Sequence, residues 1–168
     1  MKEKIRARMP DFVFEILEKD QKHFELTKEK LCNKVLFNFS FSNTAIEDKN
    51  LLFEEYNYLQ FTLDKVNQEY YRNLLENLQI KNESKFIREI FLHYAISHAF
   101  VRESYLFREK ISFFQSLMEE KDITRFHTPD GIIENKITKI YRDKEIGYIF
   151  VKMDNNKVYY LSQIQAIS

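Results

Sequence analysis

The first nine residues contain a short alternating pattern that commits this part of the chain to strand pairing. Three apolar residues alternate with three cationic ones, in the order Lys4, Ile5, Arg6, Ala7, Arg8 and Met9. An extended chain would place the apolar side chains on one face and the cationic ones on the other. A lone strand is not stable in water. Because a helical pattern follows at once, we expect the strand to pair with a second copy of the same chain.

Composition limits both the fold and the partners. The chain has 168 residues, of which 44% are apolar and 15% aromatic, so it can bury a core and is not intrinsically disordered. It has only two glycines and two prolines, which predicts few turns and a mostly helical α+β fold. The formal charge is zero, so nucleic-acid binding would depend on local clusters of Lys and Arg.

Two helices are predicted directly after the first strand. Pro10 and Asp11 suit a helix start, and an apolar stripe follows at helical spacing. Thr27 can cap a second helix, whose apolar residues are also helically spaced: Leu31, Val35, Leu36 and Phe39. Residues 1–40 therefore have the order strand, helix, helix.

This order resembles the ribbon-helix-helix family of DNA-binding proteins, of the CopG, Arc and MetJ type. In that family two chains pair their strands into an antiparallel ribbon that enters the major groove, which is wide enough to admit it. The resemblance covers "KIRARMPDFVFEILEKDQKHFELTKEKLCNKVL". It implies base contacts from Lys4, Arg6 and Arg8. It also implies phosphate contacts from Lys2, Thr27 and Lys28, the last two at a helix N-terminus.

Two observations stand beside this resemblance. Glu25 occupies a position where the family often has glycine, and a left-handed Glu costs about 1 kcal/mol, so we expect the turn to differ. The alternative interpretation of the cationic strand is a solvated edge that prevents aggregation.

The middle of the chain is predicted to be a linker followed by helices. Residues 41–50 are rich in Ser, Asn, Thr and Asp, which indicates a linker. Residues 51–121 carry helical apolar spacing, which predicts a helical segment that starts with one long helix. His93 and His98 are five apart and do not share a helical face, so we expect no metal site there.

Residues 122–168 change to short β-branched and aromatic runs separated by turns, which predicts a small antiparallel meander or barrel. The preceding helix, "GYIFV" and the closing "KVYYLSQIQAI" resemble a divergent WYL domain, an Sm-like β-barrel of bacterial regulators and CRISPR-linked proteins. The resemblance implies a ligand face, for which the candidates are Arg125, His127, Tyr141 and Tyr160. Ordinary surface positions explain these residues equally well.

The sequence favours a binding protein over an enzyme. It has no Gly-rich phosphate loop, nucleophile elbow or Cys/His ligand set, so no catalytic residue, metal or cofactor is expected. Cys32 is expected to be buried. No apolar run is long enough to span a membrane, and a cytoplasmic protein is expected.

The leading hypothesis is a homodimeric transcription regulator that binds double-stranded DNA, with a C-terminal domain that senses a small ligand or contacts an effector protein. The alternative is a CRISPR-associated accessory protein that binds single-stranded RNA, as the combined resemblance implies. A third possibility is a purely structural interaction protein.

Overall fold

The computed structural model describes residues 3–40 and 55–167, and these residues form an α+β fold, as predicted. In these ranges there are six α-helices and three small antiparallel sheets. The chain divides into two compact units, residues 1–97 and residues 98–168. The predicted linker at residues 41–50 and the predicted phosphate contact Lys2 lie outside the described residues.

The described residues of the first unit, 3–40 and 55–97, form two strands and four helices. In chain order they are β1 (Lys4–Pro10), α1 (Asp11–Phe24), α2 (Lys28–Phe39), β2 (Tyr56–Thr62), α3 (Lys65–Asn77) and α4 (Glu83–Ile96). The predicted strand, helix, helix order at the N-terminus is confirmed. Thr27 caps α2, because its side-chain oxygen accepts a hydrogen bond from the Lys30 backbone N–H at 3.2 Å.

The prediction of one long helix that starts near residue 51 was wrong, because residues 56–62 form β2. Leu59 and Leu63 are four residues apart, a spacing that fits one helical face and also one face of a strand. The buried Phe61 between them belongs to the strand pattern. The helical segment predicted for residues 51–121 is also interrupted at Phe107, which separates the helices Ala99–Leu106 and Arg108–Glu120.

β1 pairs with β2 of the same chain in an antiparallel two-stranded sheet, here called the ribbon. Arg6 lies opposite Gln60, Ile5 opposite Phe61, and Ala7 opposite Leu59. This pairing replaces the one expected between two copies of the chain. The strand at residues 56–62 is hidden in the sequence because its apolar spacing also fits a helix, so β1 has no evident partner within the chain.

The first unit is built from two similar halves, each with the order strand, helix, helix. Buried residues of β1 and α1 recur in β2, directly after it and in α3 at one constant sequence separation: Ile5 with Leu59, Ala7 with Phe61, Met9 with Leu63, Val13 with Asn67, and Leu17 with Tyr71. The second helices match with one extra residue of separation: Cys32 with Ile87, Val35 with Ile90, Leu36 with Phe91, and Phe39 with Tyr94. The two halves therefore pack by one pattern.

The turn between the two helices also begins in the same way in each half. Glu25 has φ 55° and Gln79 has φ 53°, both in the left-handed region, and their separation equals that of Ile5 and Leu59. The expectation that Glu25 would change this turn was therefore wrong. Its backbone N–H donates to the Gln21 carbonyl, which ends α1 in a left-handed cap.

Residues 98–167 of the second unit form two α-helices, six strands and a short 3-10 helix. They are α5 (Ala99–Leu106), α6 (Arg108–Glu120), β3 (Thr124–Thr128), β4 (Gly131–Asn135), β5 (Ile137–Arg142), β6 (Ile149–Met153), β7 (Val158–Tyr160) and β8 (Gln165–Ala166), with a 3-10 helix at Leu161–Gln163 before β8. One sheet has the order β4-β3-β8 and the other β5-β6-β7. The predicted antiparallel β character is confirmed, although within residues 98–167 neither sheet closes into a barrel.

One core joins the helices and strands of the second unit. Phe114 and Leu117 of α6 pack with Phe126 of β3 and with the alternate buried residues of β6. Glu103, which is fully buried in α5, accepts a hydrogen bond from the Ile149 backbone N–H at 2.7 Å. The carboxylate thus gives a hydrogen-bond partner to a buried backbone N–H group that would otherwise have none.

Cys32 is buried, as predicted, and burial raises the pKa of its thiol to about 12. It is therefore a packing residue.

Among the residues described, no helix has both the length and the apolarity needed to cross a membrane.

Candidate nucleic-acid interface

The ribbon presents a cationic row on its exposed face. Lys4, Arg6 and Arg8 are all exposed, while the intervening Ile5 and Ala7 are buried. The strand alternation predicted from the sequence is therefore confirmed. Neither Lys4–Pro10 nor Tyr56–Thr62 contains a carboxylate, so the strands themselves add no negative charge to this face.

Tyrosines of β2 hold the two arginines in place. The guanidinium carbon of Arg6 lies 3.7 Å from the ring centroid of Tyr58, and that of Arg8 lies 5.5 Å from the ring centroid of Tyr56. A guanidinium over an aromatic face is attracted by the ring quadrupole. Stacking of this kind reduces the conformational freedom of Arg6, so less entropy is lost when it binds a planar acceptor.

Polar contacts anchor both strands of the ribbon to the helices. The Arg88 side chain of α4 donates to the Arg8 carbonyl at 3.3 Å. Asn33 of α2 donates to the Thr62 carbonyl at 2.9 Å and accepts from the Asp64 backbone N–H at 2.9 Å. Asn67 donates in turn to the Asn33 carbonyl at 2.9 Å. These hydrogen bonds fix the backbone of the ribbon that presents the cationic row.

The other sequence-predicted contacts lie at the start of α2. Thr27 is the N-cap and Lys28 is the first helical residue, and both are exposed. Backbone N–H groups at a helix N-terminus can bind an anion, and Lys28 adds a positive charge there. Glu29, the next residue, accepts a hydrogen bond from the Thr62 backbone N–H, so its carboxylate is directed to the ribbon backbone.

A second surface consists of three aromatic side chains on the sheet β5-β6-β7. Phe150 lies between Tyr141 and Tyr160, opposite each in the strand register. The Phe150 and Tyr160 rings are stacked with centroids 4.4 Å apart, and the Tyr141 centroid is 5.7 Å from that of Phe150. We call these three residues the aromatic row.

Lysines lie beside the aromatic row. Lys139 and Lys152 lie opposite each other, two residues along the strands from the pair Tyr141 and Phe150. The Lys139 ammonium lies 4.8 Å from the Tyr141 ring centroid. All members of the row are half-buried, so each keeps part of its ring surface in contact with solvent. Aromatic faces combined with cations are the features that bind unpaired bases.

The structure separates the four residues predicted for the C-terminal ligand face. Tyr141 and Tyr160 lie together in the aromatic row, but Arg125 and His127 lie on β3 in the other sheet. Arg125 is exposed and its guanidinium lies 3.7 Å from the Glu134 carboxylate. Two of the four residues therefore lie on each of the two sheets.

Sequence reasoning missed Tyr58, Gln60 and Phe150. The first two lie in a segment whose apolar spacing predicts a helix, although Tyr58, Gln60 and Thr62 also alternate with apolar residues as a strand requires. Phe150 lies within "GYIFV" but was not among the candidates for the ligand face. Its contacts with Tyr141 and Tyr160 depend on strand register, which the sequence does not display.

The described residues contain no group of three or more His, Cys, Asp or Glu side chains placed to hold a metal ion. His93 lies beside Phe39, with ring centroids 5.7 Å apart, and burial lowers its pKa. His98 is the N-cap residue of α5. These two histidines thus lie in separate environments.

Comparison with known proteins gives a likeness of fold. No family model matches the chain, and no curated protein matches it. The chain is similar to a solved structure of a CRISPR Cas-related protein, with a TM-score of 0.67 and 11% sequence identity. The likeness covers 100% of this chain and 63% of that one, so this chain spans less than two thirds of its structural neighbour.

Proposed function

We propose that this chain is a sequence-specific DNA-binding protein that inserts the ribbon into the major groove of a duplex and acts as a transcription regulator. The observation that carries the proposal is the exposed row of Lys4, Arg6 and Arg8 on a two-stranded sheet. A major groove about 12 Å wide admits a two-stranded ribbon, and its base edges distinguish all four base pairs.

The chemistry of the row fits this role. Arginine can donate two hydrogen bonds to guanine O6 and N7, which is the commonest specific contact between protein and DNA. Arg6 lies mid-strand, so it is the member of the row that we assign to the floor of the groove. Lys28 and the N-terminus of α2 are assigned to phosphate, which fixes orientation without reading sequence.

The homodimer stays a prediction, but strand pairing between two chains no longer supports it. Pairing of β1 no longer requires a second chain, because β2 fills that place. A dimer would form through another surface, and its two ribbons would then bind two neighbouring copies of the site.

A second candidate function is binding of single-stranded RNA through the aromatic row, as an accessory protein of a CRISPR system. The stacked Phe150 and Tyr160 rings with nearby Lys139 and Lys152 favour it, because unpaired bases stack on aromatic faces beside cations. The likeness to a CRISPR Cas-related protein is in keeping with this candidate. A small ligand or effector protein at this end is the remaining possibility.

The test is to measure binding of duplex DNA and single-stranded RNA side by side at two salt concentrations. We expect Arg6→Ala to weaken the preferred duplex about tenfold more than random duplex, since a bidentate base contact discriminates by roughly 1–3 kcal/mol. Arg108→Ala is the matched control, because Arg108 is also exposed but lies at the start of α6 in the second unit.

Each candidate has its own contradicting result. If Arg6→Ala and Arg108→Ala behave alike, the ribbon row is a solvated edge and does not read DNA. If Phe150→Ala weakens RNA binding severalfold while Arg6→Ala has no effect on any ligand, the second candidate replaces the first.

A further inference from the structure

We infer that one chain carries a complete and asymmetric reading ribbon, in which Gln60 of β2 is a second base-contacting residue beside Arg6. The ribbon would thus read a subsite that lacks twofold symmetry, with one chain bound per subsite. This inference rests on the proposed DNA-binding function and assigns a role to a strand that the sequence resemblance did not include.

The strand register supports an internal twofold relation between the two halves. Ile5 corresponds to Leu59 and Ala7 to Phe61 in the repeated pattern, so Arg6 corresponds to Gln60. In the ribbon, Arg6 lies directly opposite Gln60. A residue that pairs with its own counterpart marks the centre of a twofold arrangement, as in a ribbon made by two identical chains.

The two strands share their buried residues in type but differ on the exposed face. Apolar side chains occupy the buried positions of both strands, because both pack on helices. Lys4, Arg6 and Arg8 of β1 correspond to Tyr58, Gln60 and Thr62 of β2 by the same separation. One strand is therefore cationic and the other neutral, so the central pair of the ribbon presents two different donor patterns.

The central pair has the chemistry to read two different bases. Arginine fits guanine O6 and N7, whereas glutamine fits adenine N6 and N7 by one donated and one accepted hydrogen bond. Gln60 is exposed on the ribbon. Tyr58 is 54% exposed and stacks with Arg6 on the same face of the ribbon.

The second helices of the two halves also differ in the charge of their first residue. Lys28 opens α2 in the first half, and Glu83 opens α4 in the second. The Glu83 carboxylate accepts a hydrogen bond from the Tyr71 hydroxyl at 2.8 Å. Each helix has a carboxylate in its first turn, Glu29 in α2 and Glu83 in α4, but Glu83 occupies the position that matches Lys28. The start of α4 therefore lacks the positive charge of Lys28, so we expect the DNA backbone to be held mainly at the α2 side.

The experiment selects preferred sequences from random duplexes for the full chain and for three variants, then measures stoichiometry on a duplex of roughly 10 base pairs, about one helical turn. Gln60→Ala should remove the preference at one base pair, with about a tenfold loss on the selected duplex. Gln60→Arg should make the preferred core sequence twofold symmetric, because both central residues then favour guanine. Gln115→Ala on α6, exposed and in the second unit, is the matched control and should change nothing.

The results separate this inference from the proposed function. One chain per short duplex, with an asymmetric preferred sequence that Gln60→Arg makes symmetric, is the expected outcome. Two chains per short duplex, or a symmetric sequence for the unaltered chain, would overturn the inference and leave DNA binding in place. If no duplex is bound above random sequence, both the inference and the proposed function fail.

Discussion

β1 and β2 bury the same kind of apolar face but carry different side chains on the exposed face. Ile5 and Leu59 occupy equivalent buried positions, as do Ala7 and Phe61. On the exposed side the first strand has Arg6 where the second has Gln60. Burial against helices restricts one face to apolar side chains. The residues of the exposed face are not restricted by packing and can be suited to a ligand.

The comparison shows where function can be sought in such a chain. Positions that match between the halves are explained by the shared core, so they carry no information about a ligand. Positions that differ between the halves, above all Arg6 and Gln60, are not needed for the fold. Changing a matched residue should therefore affect stability, and changing an unmatched one should affect binding.

The largest effect is expected at Phe61, a matched core position that is 1% exposed, with its ring centroid 5.7 Å from that of Phe91. Phe61→Ala should lower the free energy of unfolding by about 3–5 kcal/mol. Gln60→Ala, one residue away on the exposed face, should change it by less than about 0.5 kcal/mol. Chemical denaturation followed by circular dichroism measures both. Equal losses for the two variants would contradict the division of the faces.

The next effect concerns the two left-handed helix ends. Glu25→Gly and Gln79→Gly should each stabilise the chain by up to about 1 kcal/mol, because glycine adopts positive φ without a Cβ clash. Glu18→Gly, an exposed position within α1, should instead destabilise it by about 0.5–1 kcal/mol. Thermal unfolding of the three variants gives the sign directly. Destabilisation by Glu25→Gly would mean that its side chain contributes more than the turn strain costs.

A smaller effect is expected at the start of α2. If Lys28 contacts phosphate, Lys28→Ala should weaken all duplexes alike and reduce the slope of log affinity against log salt by about one. Lys85, exposed in the first turn of α4, is the matched control. Titrations at four salt concentrations measure the slopes. A slope that falls equally for Lys85→Ala would argue against one-sided backbone contact.

The smallest effect is a dependence of stability on pH. Burial is the main cause that lowers the pKa of His23 in α1 and of His93 in α4 below 6.5. The unfolded chain then binds more protons than the folded one below pH 6.5, so stability is complete above that pH and falls as the pH drops through the folded values. Unfolding at pH 7.5 and pH 5.5 should show the loss.

His93→Gln should reduce this pH dependence, because the histidine whose pKa is lowered by burial is then absent. An unfolding midpoint that does not move between the two pH values in the unaltered chain would show that neither histidine is protonated differently on folding.

Local patterns were sufficient for much of the fold. The alternation from Lys4 to Met9, the cap at Thr27 and the turn residues after Lys121 each act within a few residues, so the corresponding strands and helices were predicted close to their observed places. The cationic row also followed from alternation alone. These elements depend on backbone geometry and neighbouring side chains, which a sequence displays directly.

Tertiary structure decided the rest, because it depends on which distant segments meet. Leu59 and Leu63 suit a helix as well as a strand, and pairing with β1 selects the strand. The positions of Gln60 opposite Arg6, and of Phe150 between two tyrosines, are set by strand register. Register is determined by burial of one face over the whole pair of strands, so no short stretch of sequence contains it.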